Sequence, residues 1–327
     1  MLLAGDIGGT KTALGVFSPE AGPRRALAEA TFPSADYASL EAVVREFLRG
    51  QAHRVDRASF GVAGPVVEGT AKITNLPWTI DERRMAEMLS VPRVRVVNDL
   101  VAVASAVPIL EPSDLHTLNT GRAVPEGAIA VIAPGTGLGE AYLTWTGRRY
   151  RAHPSEGGHA DFAPRGAAQR GLLEWLGRDG SHVSWERVCS GIGIPHLYEY
   201  LKAGGAGPEP AWLAEQLAGS DDVTPAIVDA AMRHDPPAEP ALSSLRMFVS
   251  ILGAEAGNLA LQVLATGGVY LGGGLPPRML PALDGDAFRE AFRDKGRLSG
   301  LLADMPVHVI TRQGVALTGA AQVGLEL

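Results

Sequence analysis

Apolar and polar positions fall into blocks from the first residue. An apolar run ends in Gly5-Asp6-Ile7-Gly8-Gly9-Thr10, and a second begins at Ala13. This is the pattern of a strand, a tight glycine turn and a strand. Leu40, Val43, Val44, Phe47 and Leu48 recur at helical spacing, with Gly50 as the stop. Residues 57–63 (RASFGVA) read as a strand closed by Gly64-Pro65. Asp81 is placed as the cap of a helix through Leu89, and a strand over 93–97 ends at Asn98-Asp99, with a helix over 100–107 beyond it. Residues 108–126 are a polar, proline-bearing connection.

The opening pattern then returns. Residues 128–132 form an apolar run, Pro134-Gly135-Thr136-Gly137-Leu138-Gly139 a turn, and residues 140–146 a second run. Helices are expected at 167–176, 184–189, 194–202, 212–218 and near 225–232, the last two inside a Gly-, Pro- and Ala-rich excursion over 204–240. A buried helix over 242–264 leads to a third strand ending at Gly272-Gly273-Gly274. A helix over 286–294, a strand over 306–310 and a small-residue helix over 315–323 (VALTGAAQV) complete the chain. Strands alternating with helices make an α/β protein. The echo of residues 2–17 in the second half suggests two related domains facing each other across a cleft. The boundaries are residues 1–109 plus about 311–327 for a smaller domain, and about 110–310 for a larger one.

Composition narrows the class. The 327 residues are 46% hydrophobic and 20% charged, with a net charge of −7. No block of like charges argues for nucleic acid or an anionic membrane surface. A single cysteine, Cys189, excludes a disulfide framework or a cysteine zinc cluster, and reads as a small buried residue. The apolar runs are too short or too glycine-broken to span a bilayer, and no leader is visible, so a cytoplasmic location is expected.

Three glycine turns each follow an apolar run: Gly5 to Thr10, Gly135 to Gly139, and Gly272 to Gly274. Backbone N–H groups in such turns can cradle phosphate oxygens, and Asp6 at the mouth of the first could hold a Mg²⁺ shell. A plain hairpin with a turn Asp also fits. None of the three matches a Walker A loop or a dinucleotide fingerprint. Asn98-Asp99 lies just past the carboxyl end of a strand, where α/β sites are found. A carboxylate there can accept a hydroxyl proton, and helix capping explains the same pair. His153, Glu156, His159 and Asp161 form an ionisable cluster broken by Gly157-Gly158, suited to a metal, to sugar hydroxyls or to a solvated turn. Glu186 stands near an expected helix start. Asn75 and Trp78 fit a core, a turn or a ligand.

Together these segments resemble the bacterial glucokinase family, within the hexokinase, actin and sugar-kinase superfamily. The resemblance rests on GDIGGTK at 5–11, TNLPW at 74–78, VVNDL at 96–100, GTGLG at 135–139, EGGHADFAP at 156–164, SWERVCSG at 184–191, GGVYLGGG at 267–274 and DKGR at 294–297. It covers nearly the whole chain except 204–240. It implies two actin-like, ribonuclease H-like domains with a nucleotide and sugar cleft between them. It implies transfer of the γ-phosphoryl of ATP to the O6 hydroxyl of glucose, with Mg²⁺. Asp99 would be the base. Asn98, Asp99, Glu156, His159 and Glu186 would bind glucose. Gly5, Asp6, Ile7, Gly8, Gly9, Thr10, Gly135, Thr136, Gly137 and Gly273 would hold ATP, with Asp6 on the metal. A homodimer follows from the same resemblance. A kinase for mannose or an N-acetyl amino sugar, a non-catalytic sugar sensor and an actin-like ATPase are the competing readings.

Overall fold

The structure is a computed structural model that describes residues 1–73 and 76–327. The chain forms two compact units: residues 1–114, 141–154 and 312–327, and residues 115–140 and 155–311.

The first unit opens with β1 (Leu2–Ile7), β2 (Lys11–Phe17) and β3 (Ala28–Pro33). Helix α1 (Leu40–Arg49) and strand β4 (Arg57–Val62) follow. A small antiparallel sheet is built from β5 (Val66–Val67), β6 (Thr70–Lys72) and β7 (Thr79–Asp81), before α2 (Glu82–Leu89), β8 (Val94–Asn98) and α3 (Asp99–Ala106). The main sheet runs β3-β2-β1-β4-β8. β1, β4 and β8 are parallel, and Ile7, Val62 and Asn98 stand in one row at their carboxyl ends. Leu40, Val43, Val44 and Phe47 of α1 are buried against one sheet face, each worth about 2 kcal/mol of gross burial. Asp81 caps α2 as expected, accepting from the Arg83 and Arg84 N–H groups at 3.0 Å.

Strands β9 (Leu115–Asn119) and β10 (Ile129–Pro134) belong to the second unit, whereas β11 (Leu138–Trp145) and β12 (Tyr150–Ser155) lie mostly in residues of the first. The helices of the second unit are α4 (Gly166–Leu176), α5 (Gly193–Ala203), α6 (Ala211–Ala218), α7 (Thr224–Met232) and α8 (Glu239–Val263). Strand β13 (Gly268–Leu271), helices α9 (Leu280–Leu283), α10 (Asp286–Arg293) and α11 (Ser299–Asp304), and strand β14 (Val307–Ile310) follow. The sheet order is β12-β11-β10-β13-β14-β9. α8 is buried along most of its length, with Phe248, Leu252 and Leu259 in the core of this unit.

The last helix, α12 (Val315–Leu325), belongs to the first unit. Its small residues pack on α3 as their composition predicts: a Cβ on Gly319 would lie 1.7 Å from the Ala102 carbonyl oxygen.

Several segments depart from expectation. The polar connection contains β9, which pairs with β14. Residues 184–189 form turns rather than a helix: the Trp185 and Glu186 N–H groups donate to the Ala160 and Gly158 carbonyls, while those of Arg187, Val188 and Cys189 donate back to Ser184 and Trp185. His153 is a strand residue, stacked on Tyr142 and bonded to Thr144 at 2.9 Å, so it stands outside the Glu156 cluster. Asp161 pairs with His182 at 2.8 Å. Trp78 is a core residue whose Nε1 donates to the Tyr37 carbonyl. Asn75 lies outside the described residues. Among the described residues, no helix is long and apolar enough to cross a membrane.

Candidate active site

In the first unit, the row of strand ends sets the chemistry. The β1–β2 turn closes through the Gly8 N–H donating to the Lys11 carbonyl at 2.9 Å. Gly5 and Ile7 are buried strand residues, which narrows the open part of the turn to Gly8, Gly9 and Thr10. Ser34 staples this turn, a role no motif revealed. Its hydroxyl donates to the Gly8 carbonyl at 2.8 Å, and its N–H donates to the Thr10 carbonyl at 2.9 Å. Thr12 lies 3.0 Å from the same hydroxyl.

Asp6 sits one residue before the end of β1, and Asp99 begins α3. Burial, with the nearby charge of Asp99, pushes the Asp6 carboxyl up to about 6. Asn98 caps α3: its Oδ1 accepts from Leu100 N–H at 2.9 Å and Val101 N–H at 3.4 Å, and its Nδ2 donates to the Gly64 carbonyl. The Asp99 Oδ1 also accepts from Leu100 N–H at 2.9 Å. So capping falls to Asn98, and this holds Asp99 in the first turn. Among the described residues, no group of three His, Cys, Asp or Glu side chains is arranged to hold a metal. The Asp6 carboxylate nonetheless fits Mg²⁺, which usually takes one or two carboxylates together with substrate phosphates.

In the second unit, β10 and β13 are parallel and deliver their glycine turns side by side. Leu275 N–H donates to the Pro134 carbonyl at 3.3 Å, and Gly273 adopts φ +81° with no room for a Cβ against that same carbonyl. The 135–139 loop is in turn bound by the segment after residue 184. Gly191 N–H donates to the Gly135 carbonyl at 2.7 Å, and Ile192 N–H to the Thr136 carbonyl at 3.1 Å. Gly135, Thr136, Ile192, Pro225 and Leu275 line a cavity of about 620 Å³, a size suited to a small ligand. Its wall includes residues 221–225, so the 204–240 excursion takes part in this site. A larger depression of about 750 Å³ opens in the first unit among Arg95, Arg148, Arg149 and Arg151, and neither Asp6 nor Asp99 lines it.

Glu156, His159 and Glu186 come together in this second unit. His159 Nε2 lies 3.9 Å from Glu156 Oε2, and its Nδ1 lies 3.9 Å from Glu186 Oε1. The backbone builds the cluster: Glu186 N–H donates to the Gly158 carbonyl at 2.8 Å, and Trp185 N–H to the Ala160 carbonyl at 3.0 Å. Glu186 Oε2 accepts from Leu138 N–H at 3.0 Å, tying the cluster to the second glycine loop. Two exposed groups and one shielded carboxylate, with acceptors and a two-faced imidazole, can read the hydroxyls of a small ring.

The glucokinase family profile matches residues 3–326. The chain belongs to the glucokinase family. The glucokinase of Nostoc sp. (strain PCC 7120 / SAG 25.82 / UTEX 2576) is 42% identical over 98% of both chains. A crystal structure of glucokinase from an Antarctic psychrotroph shares the fold with a TM-score of 0.82 at 33% identity, covering 98% of both chains. A ROK-family glucokinase from Streptomyces griseus, solved with glucose and AMPPNP, matches with a TM-score of 0.67 at 23% identity, over 100% of this chain and 99% of that one. The fold is thus the actin-like fold of the sugar kinases, and the family is one of phosphotransferases.

Proposed function

We propose that this protein transfers the γ-phosphoryl of ATP to the O6 hydroxyl of glucose, giving glucose 6-phosphate and ADP. The observation that carries the acceptor is the Glu156–His159–Glu186 cluster, built on the glycine loop at 135–139. Membership of the glucokinase family supports it, as does the glucose and AMPPNP bound to the Streptomyces griseus relative.

Asp99 accepts the O6 proton as that oxygen attacks the γ-phosphorus. The bond from phosphorus to the β–γ bridging oxygen breaks, and its electrons leave with ADP. Transfer of this kind needs positioning and charge stabilisation more than a strong base, so an ionised carboxylate at a rigid helix start suffices. Asn98 keeps that helix start in place. The N–H groups of Gly9 and Thr10 and of Thr136 and Gly137 stabilise phosphate oxygens, while those of Gly8 and Gly135 close their turns onto the Lys11 and Gly137 carbonyls. A Mg²⁺ ion held by Asp6 would offset the negative charge on those oxygens. The apolar walls of the 620 Å³ cavity suit a nucleobase. The donor is an intracellular metabolite, which supports a cytoplasmic location, and the family supports a homodimer.

The test is the Asp99→Ala variant in a coupled assay with a panel of sugars and donors. Glucose binding should persist while kcat falls by about 10²- to 10⁴-fold. Near-normal turnover would remove Asp99 as the base, and a better sugar than glucose would reassign the acceptor.

A further inference from the structure

Under the 155–159 loop lies a pair of carboxyl groups that phosphoryl transfer does not use. Glu140 on β11 and Glu255 on α8 are each 2% exposed. Neither carboxyl oxygen of Glu140 meets a donor; its side-chain hydrogen-bonding neighbour is the Glu255 carboxyl, itself an acceptor unless a proton lies between them. Glu255 Oε2 accepts from Asn258 Nδ2 at 2.9 Å, and Asn258 Oδ1 accepts from Lys295 Nζ at 2.5 Å. Lys295 Nζ also donates to the Ala254 carbonyl at 2.9 Å. A polar chain therefore runs from Lys295 through Asn258 to Glu255, and Glu140 stands beyond its end.

The other side of Glu140 is closed by the loop. A Cβ on Gly157 would lie 2.1 Å from Glu140 Oε2 and 3.0 Å from its Cδ, and one on Gly158 would lie 2.2 Å from the Leu138 carbonyl oxygen. The loop thus rests on β11 without a gap, and the Glu140 carboxyl forms part of its floor. Glu156 and His159 flank those two glycines, and Gly158 receives the Glu186 N–H.

We propose that Glu140 and Glu255 share one proton and act as a positioning pair for the 155–159 loop, so that glucose affinity weakens as rising pH removes that proton. This rests on the reading of the loop as the glucose-binding element. With the proton shared, Glu140 is neutral and the loop lies flat on it. Without it, two like charges face each other in a dry site, where separation is strongly favoured. The way out for Glu140 is past Gly157, which displaces the loop. Burial pushes both carboxyls upward, and the charge of Glu140 adds to the rise at Glu255.

The other groups facing the pair do not replace its proton. The Cys189 thiol is held up by burial and by both carboxylates. Lys295 is brought down to about 8, by burial first and Arg165 second, with Glu255 opposing. Arg165 is itself engaged by Asp294 and by the Ala291 carbonyl. Glu156 and His159 remain on the exposed side of the loop.

The experiment compares the wild type, Glu140→Gln and Glu255→Gln. Steady-state KM for glucose and for ATP is measured across neutral to alkaline pH. Hydrogen exchange of the 157–159 amides in ligand-free protein, corrected for intrinsic rates, reports the loop directly. In the wild type, KM for glucose should rise up to tenfold per pH unit once the proton is lost, while KM for ATP stays level. Glu140→Gln should keep the low-pH KM and show a flat profile. His159 and Glu156 are intact in it, so a rise due to them would survive. Glu255→Gln should flatten the profile too, and serves if Glu140→Gln fails to fold. A wild-type slope retained in both variants, or no slope and no loop loosening in the wild type, overturns the pair. Loop loosening with pH while glucose KM stays constant overturns the glucose reading of the loop, and the coupling with it.

Discussion

Gly137 belongs to a loop read as phosphate-binding, yet its neighbourhood predicts that replacing it harms the sugar side. A Cβ at this position would lie 2.3 Å from Glu186 Oε2 and 3.2 Å from its Cδ, where ordinary contact begins at 3.4 Å. The carboxylate must retreat by about 1 Å, a displacement that can cost about a hundredfold in a positioned site. Because the obstacle is the end of a flexible side chain, the fold tolerates Gly137→Ala, with a stability change within about 1 kcal/mol. The site does not. Glu186 gives up the 3.0 Å bond from Leu138 N–H and its place 3.9 Å from His159. A hydrogen bond to a charged group contributes about 1.5–3 kcal/mol, or roughly 10- to 150-fold in affinity. The assay is steady-state kinetics with glucose varied at saturating ATP and the reverse, with a melting curve as control. We expect kcat/KM for glucose to drop roughly 10- to 100-fold, with KM for ATP shifting less than about threefold. An unchanged glucose KM beside a raised ATP KM would refute Glu186 as a sugar ligand and leave the loop a phosphate site alone.

Asp6 carries a pH signature. Its carboxyl is raised to about 6, so the folded protein binds more protons than the unfolded one between about pH 4 and 6, and stability declines as pH rises through that window. Asp6→Asn should remove the decline and stabilise the protein above pH 6 by about 2 kcal/mol or less, while the same variant loses turnover and its dependence on added Mg²⁺; chelation with EDTA should silence the wild type. In contrast, Asp114 lies among Arg24, Arg312 and the Glu111 N–H, which hold its carboxyl below the usual range despite burial. That stability is present above the ordinary carboxylate pKa and fades as acid protonates the group, so the acid unfolding of Asp114→Ala should be shallower, from a starting stability lower by about 3 kcal/mol. Gly319→Ala forces a Cβ to within 1.7 Å of the Ala102 backbone oxygen; neither helix can yield cheaply, and melting should reveal a loss of about 3 kcal/mol or more. A melting point that does not move would contradict the α3–α12 packing.

The elements legible in the sequence were those whose burial is one-sided or complete. α1 and α8 announced themselves by periodicity and by unbroken apolar length. The glycine turns were legible because β1, β10 and β13 end abruptly in residues that cannot continue a buried strand. What escaped depended on partners distant in sequence. β9 is short and carries one or two polar residues on each face, without the alternation that marks a strand, and its pairing with β14 is set far along the chain. Residues 184–189 carry a good local helix start and do make one turn, but the chain then leaves it, with the Gly191 and Ile192 N–H groups drawn to the Gly135 and Thr136 carbonyls. His153 looked like part of the ionisable cluster because it is near in sequence, whereas strand pairing sets it against Tyr142 and Thr144. Ser34 and Glu140 carry no motif, since their roles arise from what is laid over them.

One segment of the second unit supports two loops at once. The loop at 135–139 and the loop at 156–159 are separated along the chain, yet both are held by the segment from Trp185 to Ile192, through Gly191 and Ile192 on one side and Trp185 and Glu186 on the other. Glu186 completes the join, since its carboxylate faces His159 and also accepts from Leu138 N–H beside the glycine turn. Trp185 and Glu186 stand at the start of the turn over 184–189, where even a helix leaves its N–H groups without intrahelical partners, so these two donors are available to the 158–160 loop. The turn closes with the Cys189 N–H on the Trp185 carbonyl, and Gly191 and Ile192 beyond it donate to the 135–136 carbonyls instead of continuing a helix. Extending the turn into a helix through Ile192 should take the Gly191 and Ile192 N–H groups from the 135–139 loop and loosen it, while a substitution that disturbs Glu186 alone should act on the sugar side.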